Sequence, residues 1–121
     1  MSIHSHKDLI VWQKGIDLSK KIYILTEKFP REEIYGITSQ MRRAAISIPS
    51  NIAEGRSRGT RKDFVQFLRI AIGSASELET QIEIAKNLPQ TKNLSYQEVD
   101  ILLDEVSRMT MGMIKKLSIK S

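Results

Sequence analysis

The chain contains no cysteine. That removes disulfide frameworks, thiolate zinc sites and cysteine nucleophiles together, and it suits a reducing compartment. Histidine is nearly as scarce, with only His4 and His6 present. A serine triad needs a histidine in the folded core, and a di-iron bundle needs Glu-x-x-His on facing helices. Both histidines instead stand in a short N-terminal arm, residues 1–7. A His-x-His pair there holds metal weakly, and a frayed, flexible end is the simpler expectation. No GxxxxGK[ST] phosphate loop and no GxGxxG after a strand occurs. Aromatics make up 6% of the chain, so Leu, Ile, Ala and Met must fill the core. No apolar run is long enough to span a bilayer, since the longest uncharged stretch, Ala44 to Ala53, is short and contains Pro49. The opening "MSIHSHKDLIVW" lacks a basic segment followed by a long apolar one, so it does not read as a signal peptide. Together these absences predict a cytoplasmic protein without membrane contact, cofactor, bound metal or enzymatic activity.

What is present is helical periodicity. The 121 residues suffice for one domain with one core. Leu9, Trp12, Ile16 and Tyr23 recur at helical spacing in a first helix from about Asp8 to Lys28, which Phe29-Pro30 ends. A second helix, about Glu33 to Glu54, carries Ile37, Met41, Ala44, Ala45, Ile48 and Ile52 on one face. Pro49 falls within it. A proline there either opens a new helix or kinks an existing one. The apolar stripe crosses Pro49 without changing phase, which favours one kinked helix, with Gly55 as its left-handed stop. Thr60 caps a third helix running to about Asn87, with Asp63 in the first turn. "SYQE", with Ser95 and Glu98, reads as the capping box of a fourth helix that carries Val99 through Leu117. The fold class is all-α: a single antiparallel up-and-down four-helix bundle with a Pro-kinked second helix.

Two features exceed the needs of a plain bundle. Val11, Leu18, Ile22 and Leu25 form a second apolar stripe on the first helix. It is either part of a wide core-facing stripe or an interface between subunits, and we read it as the oligomer interface. The second helix also has a polar edge, Gln40, Arg43, Ser47, Asn51 and Glu54, facing Ser74, Glu77 and Gln81 on the third. A structural polar seam that fixes helix register or a subunit contact explains it better than catalysis.

The net charge of +5 is unevenly spread. Arg42, Arg43, Arg56, Arg58, Arg61, Lys62 and Arg69 crowd one segment against only Glu54 and Asp63. Glu77 to Glu105 is acidic by contrast. Arg61 and Lys62 sit in the first turn of the third helix, where the macrodipole disfavours cations by a few tenths of a kcal/mol. A bound anion would relieve that mismatch. The segment is therefore either a solvated loop or a nucleic-acid-binding surface. No aromatics interleave its arginines, so contact would be to phosphates, weakly sequence-specific and salt-sensitive.

"LIVWQKGIDLSKKIY", "FPREEIYGITSQMRRAAISIPSNIAEG" and "FVQFLRIAIGSASELETQIEIA" resemble the four-helix-bundle proteins encoded in intervening sequences of bacterial 23S ribosomal RNA genes. The resemblance covers roughly Leu9 to Leu88 and continues only in character through the last helix. It implies a bundle that assembles into a homopentamer, with no enzymatic activity. It also implies similarity to the accessory protein of diversity-generating retroelements, a basic pentamer that binds nucleic acid and a reverse transcriptase. The expectation is a non-enzymatic, oligomeric nucleic-acid-binding accessory protein directed at RNA before DNA. The alternative is a protein-binding scaffold that uses the acidic surface of helices three and four or the outer face of the ring, with no nucleic-acid role.

Overall fold

The computed structural model describes residues 5–119. Four helices make the fold: α1 (Ile10–Thr26), α2 (Ile37–Ser57), α3 (Arg61–Lys86) and α4 (Gln97–Ile119), with short 3-10 turns at His6–Asp8 and Arg31–Glu33. Among the described residues there is no strand. Helices adjacent in sequence pack on one another, and α4 closes on α1. Cross-helix pairs run in opposite directions. Lys14 and Lys21 of α1 meet Glu105 and Glu98 of α4, in that order. The bundle is therefore antiparallel and up-and-down.

The core is aliphatic, as the scarcity of aromatics requires. Leu18, Ile22, Met41, Ile48, Ile52, Leu68, Leu78 and Ile82 are fully buried. Alanines 44, 45, 71, 75 and 85 fill the narrow places between them. The two stripes of α1 exchange the roles expected of them. Val11, Leu18, Ile22 and Leu25 lie in the chain's own core and are unavailable to a partner. Leu9, Trp12 and Ile16 are only half-buried, and Tyr23 is exposed. The physical reason is Gly15, which continues the Val11 stripe and lets α1 approach α2 where a larger side chain could not. A Cβ added there would stand 3.2 Å from the Pro49 ring.

Pro49 lies inside one continuous helix. Having no N–H, it leaves the Ala45 carbonyl without its helical donor. Ser19 of α1 answers this: its Oγ lies 3.1 Å from that carbonyl and 3.0 Å from the Gly15 carbonyl. Gly55 is not a stop. It is buried within α2, where a Cβ would meet Phe67 Cβ at 2.6 Å, so it is a point of close approach between α2 and α3. The left-handed residue is Gly59, at φ 89°. Thr60 caps α3 as expected, its Oγ1 accepting from the Asp63 N–H at 3.1 Å.

Three other boundaries move. Residues 33–36 precede α2 in turns, so that helix starts at Ile37. Helix α4 starts at Gln97, later than a Ser95 cap would set it. Tyr96 anchors this start instead, because its buried hydroxyl donates to the Thr91 carbonyl at 2.8 Å while Thr91 Oγ1 donates to the Ala85 carbonyl at 2.6 Å. Of the arm expected to be flexible, Ser5 to Lys7 are described, with Ser5 capping the short 3-10 turn. Ser5 Oγ accepts from the Lys7 N–H, Gln13 Nε2 donates to the Lys7 carbonyl, and the His6 ring packs edge-on to Trp12 at 5.1 Å. His4 lies outside the described residues.

Replacing Ser19 by alanine should cost about 1 kcal/mol in urea denaturation. In the Pro49→Ala background the loss should shrink, because residue 49 then supplies an N–H to Ala45; equal losses in both backgrounds contradict the assignment. The glycines divide by surroundings. Gly55→Ala should destabilise by about 1–3 kcal/mol through overpacking against Phe67. Gly73→Ala, with nothing within 4 Å of its Cβ position, should stabilise by roughly 1 kcal/mol through helix propensity.

Candidate nucleic-acid interface

Helix α2 ends and α3 begins within three residues, Arg58 to Thr60. Gly59 turns the chain and Thr60 caps the next helix, so the cations of this corner stand on helical ends rather than on a long loop. Arg56 is half-buried, and Arg61 and Lys62 are exposed. Arg58 is engaged: its Nε donates to Glu54 Oε2 at 2.9 Å and its guanidinium lies 4.9 Å from the Phe67 ring centre. Glu54 is thereby drawn away from the polar seam expected to include it, and its charge is offset.

Arg69 stands two turns into α3, where it shares a groove with Lys115 and Ile119 from the end of α4. The antiparallel run of α4 thus brings Lys115 and Lys116 to the same end of the bundle. Neither lysine belongs to the basic segment that the sequence marks out. The signal for them lies in the topology, because the last turn of a fourth antiparallel helix must return beside the second interhelical corner.

The seven-cation segment does not form one cluster. Arg42 and Arg43 precede Arg56 by 14 and 13 residues, which separates them by about 20 Å along α2. Arg42 is structural. Its Nε donates to Thr26 Oγ1 at 2.9 Å, and its guanidinium lies 4.4 Å from the Tyr23 ring centre. Arg43 lines a polar cavity of about 500 Å³ with Gln40, Ala44, Ser47, Glu77 and Gln81. Beside that cavity, Ser74 donates to Ser47 Oγ at 2.8 Å, and Asn51 Nδ2 lies 2.9 Å from the same oxygen. Ser47, Asn51 and Ser74 therefore tie α2 to α3, and Gln40, Arg43, Glu77 and Gln81 line the cavity. Gln81 Oε1 is buried without a donor.

The helix three and four surface is not uniformly acidic. Asp100 pairs with Lys86 at 2.7 Å, and Asp104 with Arg108 at 2.6 Å. Glu98 and Glu105 pair with Lys21 and Lys14 on α1. No group of three or more His, Cys, Asp or Glu side chains among the described residues could hold a metal ion. No described helix is long and apolar enough to cross a membrane.

The sequence matches the family described as 23S rRNA-intervening sequence protein over residues 7–112. The chain belongs to that family. No curated protein matches it. The fold is similar to a crystal structure from Bacteroides thetaiotaomicron VPI-5482, a protein of unknown function from the S23 ribosomal protein family. The TM-score is 0.74 at 23% identity, covering 88% of this chain and 99% of that one. At that identity the likeness concerns the fold.

In this 23S rRNA-intervening sequence protein, the end opposite the basic corner has its own electrostatics. The hydrogen bond that it donates to Asp100 holds the Lys86 ammonium above its ordinary pKa, against a smaller opposing effect of desolvation. Burial pushes the Tyr96 phenol up. Both groups therefore keep their protons to higher pH in the folded chain than in the unfolded one. Their contributions are complete below the unfolded values, about 10 for both, and are lost as pH climbs through the folded ones. These two contributions should hold up to about pH 9 and diminish as pH rises above about 10. Tyr96→Phe should cost about 1 kcal/mol at neutral pH and make the alkaline fall shallower, as measured by urea denaturation across that range.

Proposed function

We propose that the protein is a non-enzymatic, oligomeric nucleic-acid-binding protein acting in the cytoplasm, and that it grips phosphates with the basic end of the bundle. The observation that carries this reading is the gathering of Arg56, Arg61, Lys62, Arg69, Lys115 and Lys116 at one end, where Glu54 is already taken by Arg58. Guanidinium forks and the N-terminus of α3 both suit phosphate oxygens. Phe64 and Phe67 are half-buried against α2 at Gly55, which leaves backbone contact rather than base stacking as the mode. The family's name ties its members to sequences within 23S rRNA genes, so structured RNA is the first ligand to try.

The homo-oligomer contact moves to the stripe of α1 that faces outward. Trp12 and Ile16 line one shallow cavity with Ile46, and Tyr23 and Ile34 line another that includes the same Ile46. The result is one apolar strip along the α1–α2 face with Trp, Tyr and Arg among its members, a composition that suits a subunit interface. A pentamer is the state that the family resemblance implies. Repetition of a weak basic site around such an assembly raises its avidity for a long polyanion.

The test is a titration of structured RNA across salt concentration. Replacing Arg56, Arg61, Lys62 and Arg69 by alanine should weaken binding. The slope of log affinity against log salt should fall by roughly one for each phosphate that the variant no longer neutralises. Arg42→Ala and Arg43→Ala should leave that slope unchanged. Absence of binding at low salt, or a slope indifferent to the first four substitutions, would exclude this assignment and turn the search to a protein partner on the apolar strip.

A further inference from the structure

The polar cavity between α2 and α3 gathers strong hydrogen-bonding groups that the bundle itself does not use. Ser47 and Ser74 join the two helices beside it. Counting back along α2 and forward along α3 from that contact sets Arg43 and Ala44 across from Glu77, and Gln40 across from Gln81. The facing groups stay unpaired. None of the ion pairs among the described residues includes Arg43 or Glu77, and Gln81 Oε1 has no donor. Ser47 Oγ accepts from both Ser74 and Asn51, so one hydroxyl proton of the serine pair is left unspent. Ala44 is buried and small, which keeps space open between Arg43 and Glu77. The volume of about 500 Å³ lies within the range of about 300–1,000 Å³ usual for small-molecule sites. The two walls are therefore polarised. Helix α2 offers donors, Arg43 and Ser47, and α3 offers acceptors, Glu77 and Gln81. An acceptor buried without a donor is costly and calls for a partner.

We propose that this cavity binds a free α-amino acid in its zwitterionic form. The ligand carboxylate lies on the α2 wall, where the Arg43 fork donates two parallel N–H bonds and the spare serine proton donates a third. The ligand ammonium lies on the α3 wall. It carries three donors and no acceptor, which suits a wall made of oxygens. Glu77 neutralises its charge, and Gln81 Oε1 accepts one of its protons. The last torsion of a glutamine side chain is soft, so that oxygen turns to the ligand at little cost. A simple anion would satisfy Arg43 and be repelled by Glu77, and a simple cation would do the reverse. Opposite charges on neighbouring atoms satisfy both walls at once. Gln40 stands at the rim, where its amide meets the ligand side chain and favours one that carries an amide of its own. Arg43 also borders the strip on α1–α2, but the arginine seated on Tyr23 there is Arg42. The site shares no group with the basic corner and does not depend on nucleic-acid binding.

The test is calorimetric titration of the full chain, after exhaustive dialysis, with each common L-amino acid in turn, L-glutamine first. Saturable binding, one ligand per chain, should appear with at least one of them. It should be lost with the N-acetyl derivative of that amino acid, which has no ammonium, and with the corresponding decarboxylated amine, which has no carboxylate. Arg43→Gln and Glu77→Gln should each weaken binding by about tenfold or more. Gln81→Met, similar in shape but without the amide oxygen, should weaken it as well. Circular dichroism and light scattering should show the wild-type fold and particle mass in all three variants. The proposal is overturned if no common L-amino acid binds saturably at millimolar concentration, which leaves the cavity to water. It is overturned equally if either singly charged analogue binds as well as the parent, or if the variants bind as tightly as the wild type. A changed particle mass in Arg43→Gln or Glu77→Gln would also overturn it, assigning those charges to a contact between subunits.

Discussion

The bundle depends on how closely α2 can be approached from both sides. Pro49 and Gly55 are residues that ordinarily weaken a helix, and here each serves a contact that a larger or more regular residue would prevent. On the α1 side, Gly15 admits the proline ring and Ser19 supplies the hydrogen bond that the ring removed. On the α3 side, Gly55 lets the backbone of α2 settle against Phe64 and Phe67. The hydroxyl link from Ser74 through Ser47 then fixes the register of the same pair. Both neighbours therefore pack closely against the middle of α2. The end of α2 carries the corner Arg58-Gly59-Thr60, so close packing in the middle of the bundle positions the cations at its tip.

Much of the fold was legible in the sequence because its signals are local and regular. The continuous phase of Met41, Ala45, Ile48 and Ile52 across Pro49 identified one helix, and the Thr60 cap identified the start of the next. The errors were tertiary. Gly55 looked like a stop because glycine after a helix usually is one, and only the position of Phe67 shows that its missing Cβ is a packing requirement. On α1, Trp12 and Tyr23 drew attention to the wrong stripe. Amphipathic aromatics sit comfortably at half-exposed positions, whereas the steady four-and-three spacing of Val11, Gly15, Leu18, Ile22 and Leu25 was the better guide to the core.

The candidate site was legible only in part, for a related reason. Counting cations along the chain treats sequence distance as spatial distance, and a helix breaks that equivalence at 1.5 Å per residue. Arg42 and Arg43 belong to the far half of α2, where Arg42 holds Thr26 and covers Tyr23. Lys115 and Lys116, distant in sequence, return to the corner through the antiparallel topology. The basic surface is thus assembled from three helices rather than read from one segment.

Charge in this molecule is arranged along the helices as much as between them. Helix α4 meets α1 and α3 through lysine–carboxylate pairs that are individually weak because they are exposed, and the aliphatic core supplies most of the stability. Those pairs do more for alignment than for energy: they hold the acids of α4 near its beginning and leave lysines near its end. A rigid body with cations displayed at one end has little ordering left to do when it meets a polyanion. On the proposed reading it would make few contacts per copy, however, and a site built from about half a dozen phosphate contacts would weaken steeply as salt rises. Fixed placement solves the first problem and only repetition solves the second. On that reading the apolar strip on α1–α2, proposed to join copies, has the same functional weight as the cations it would bring together.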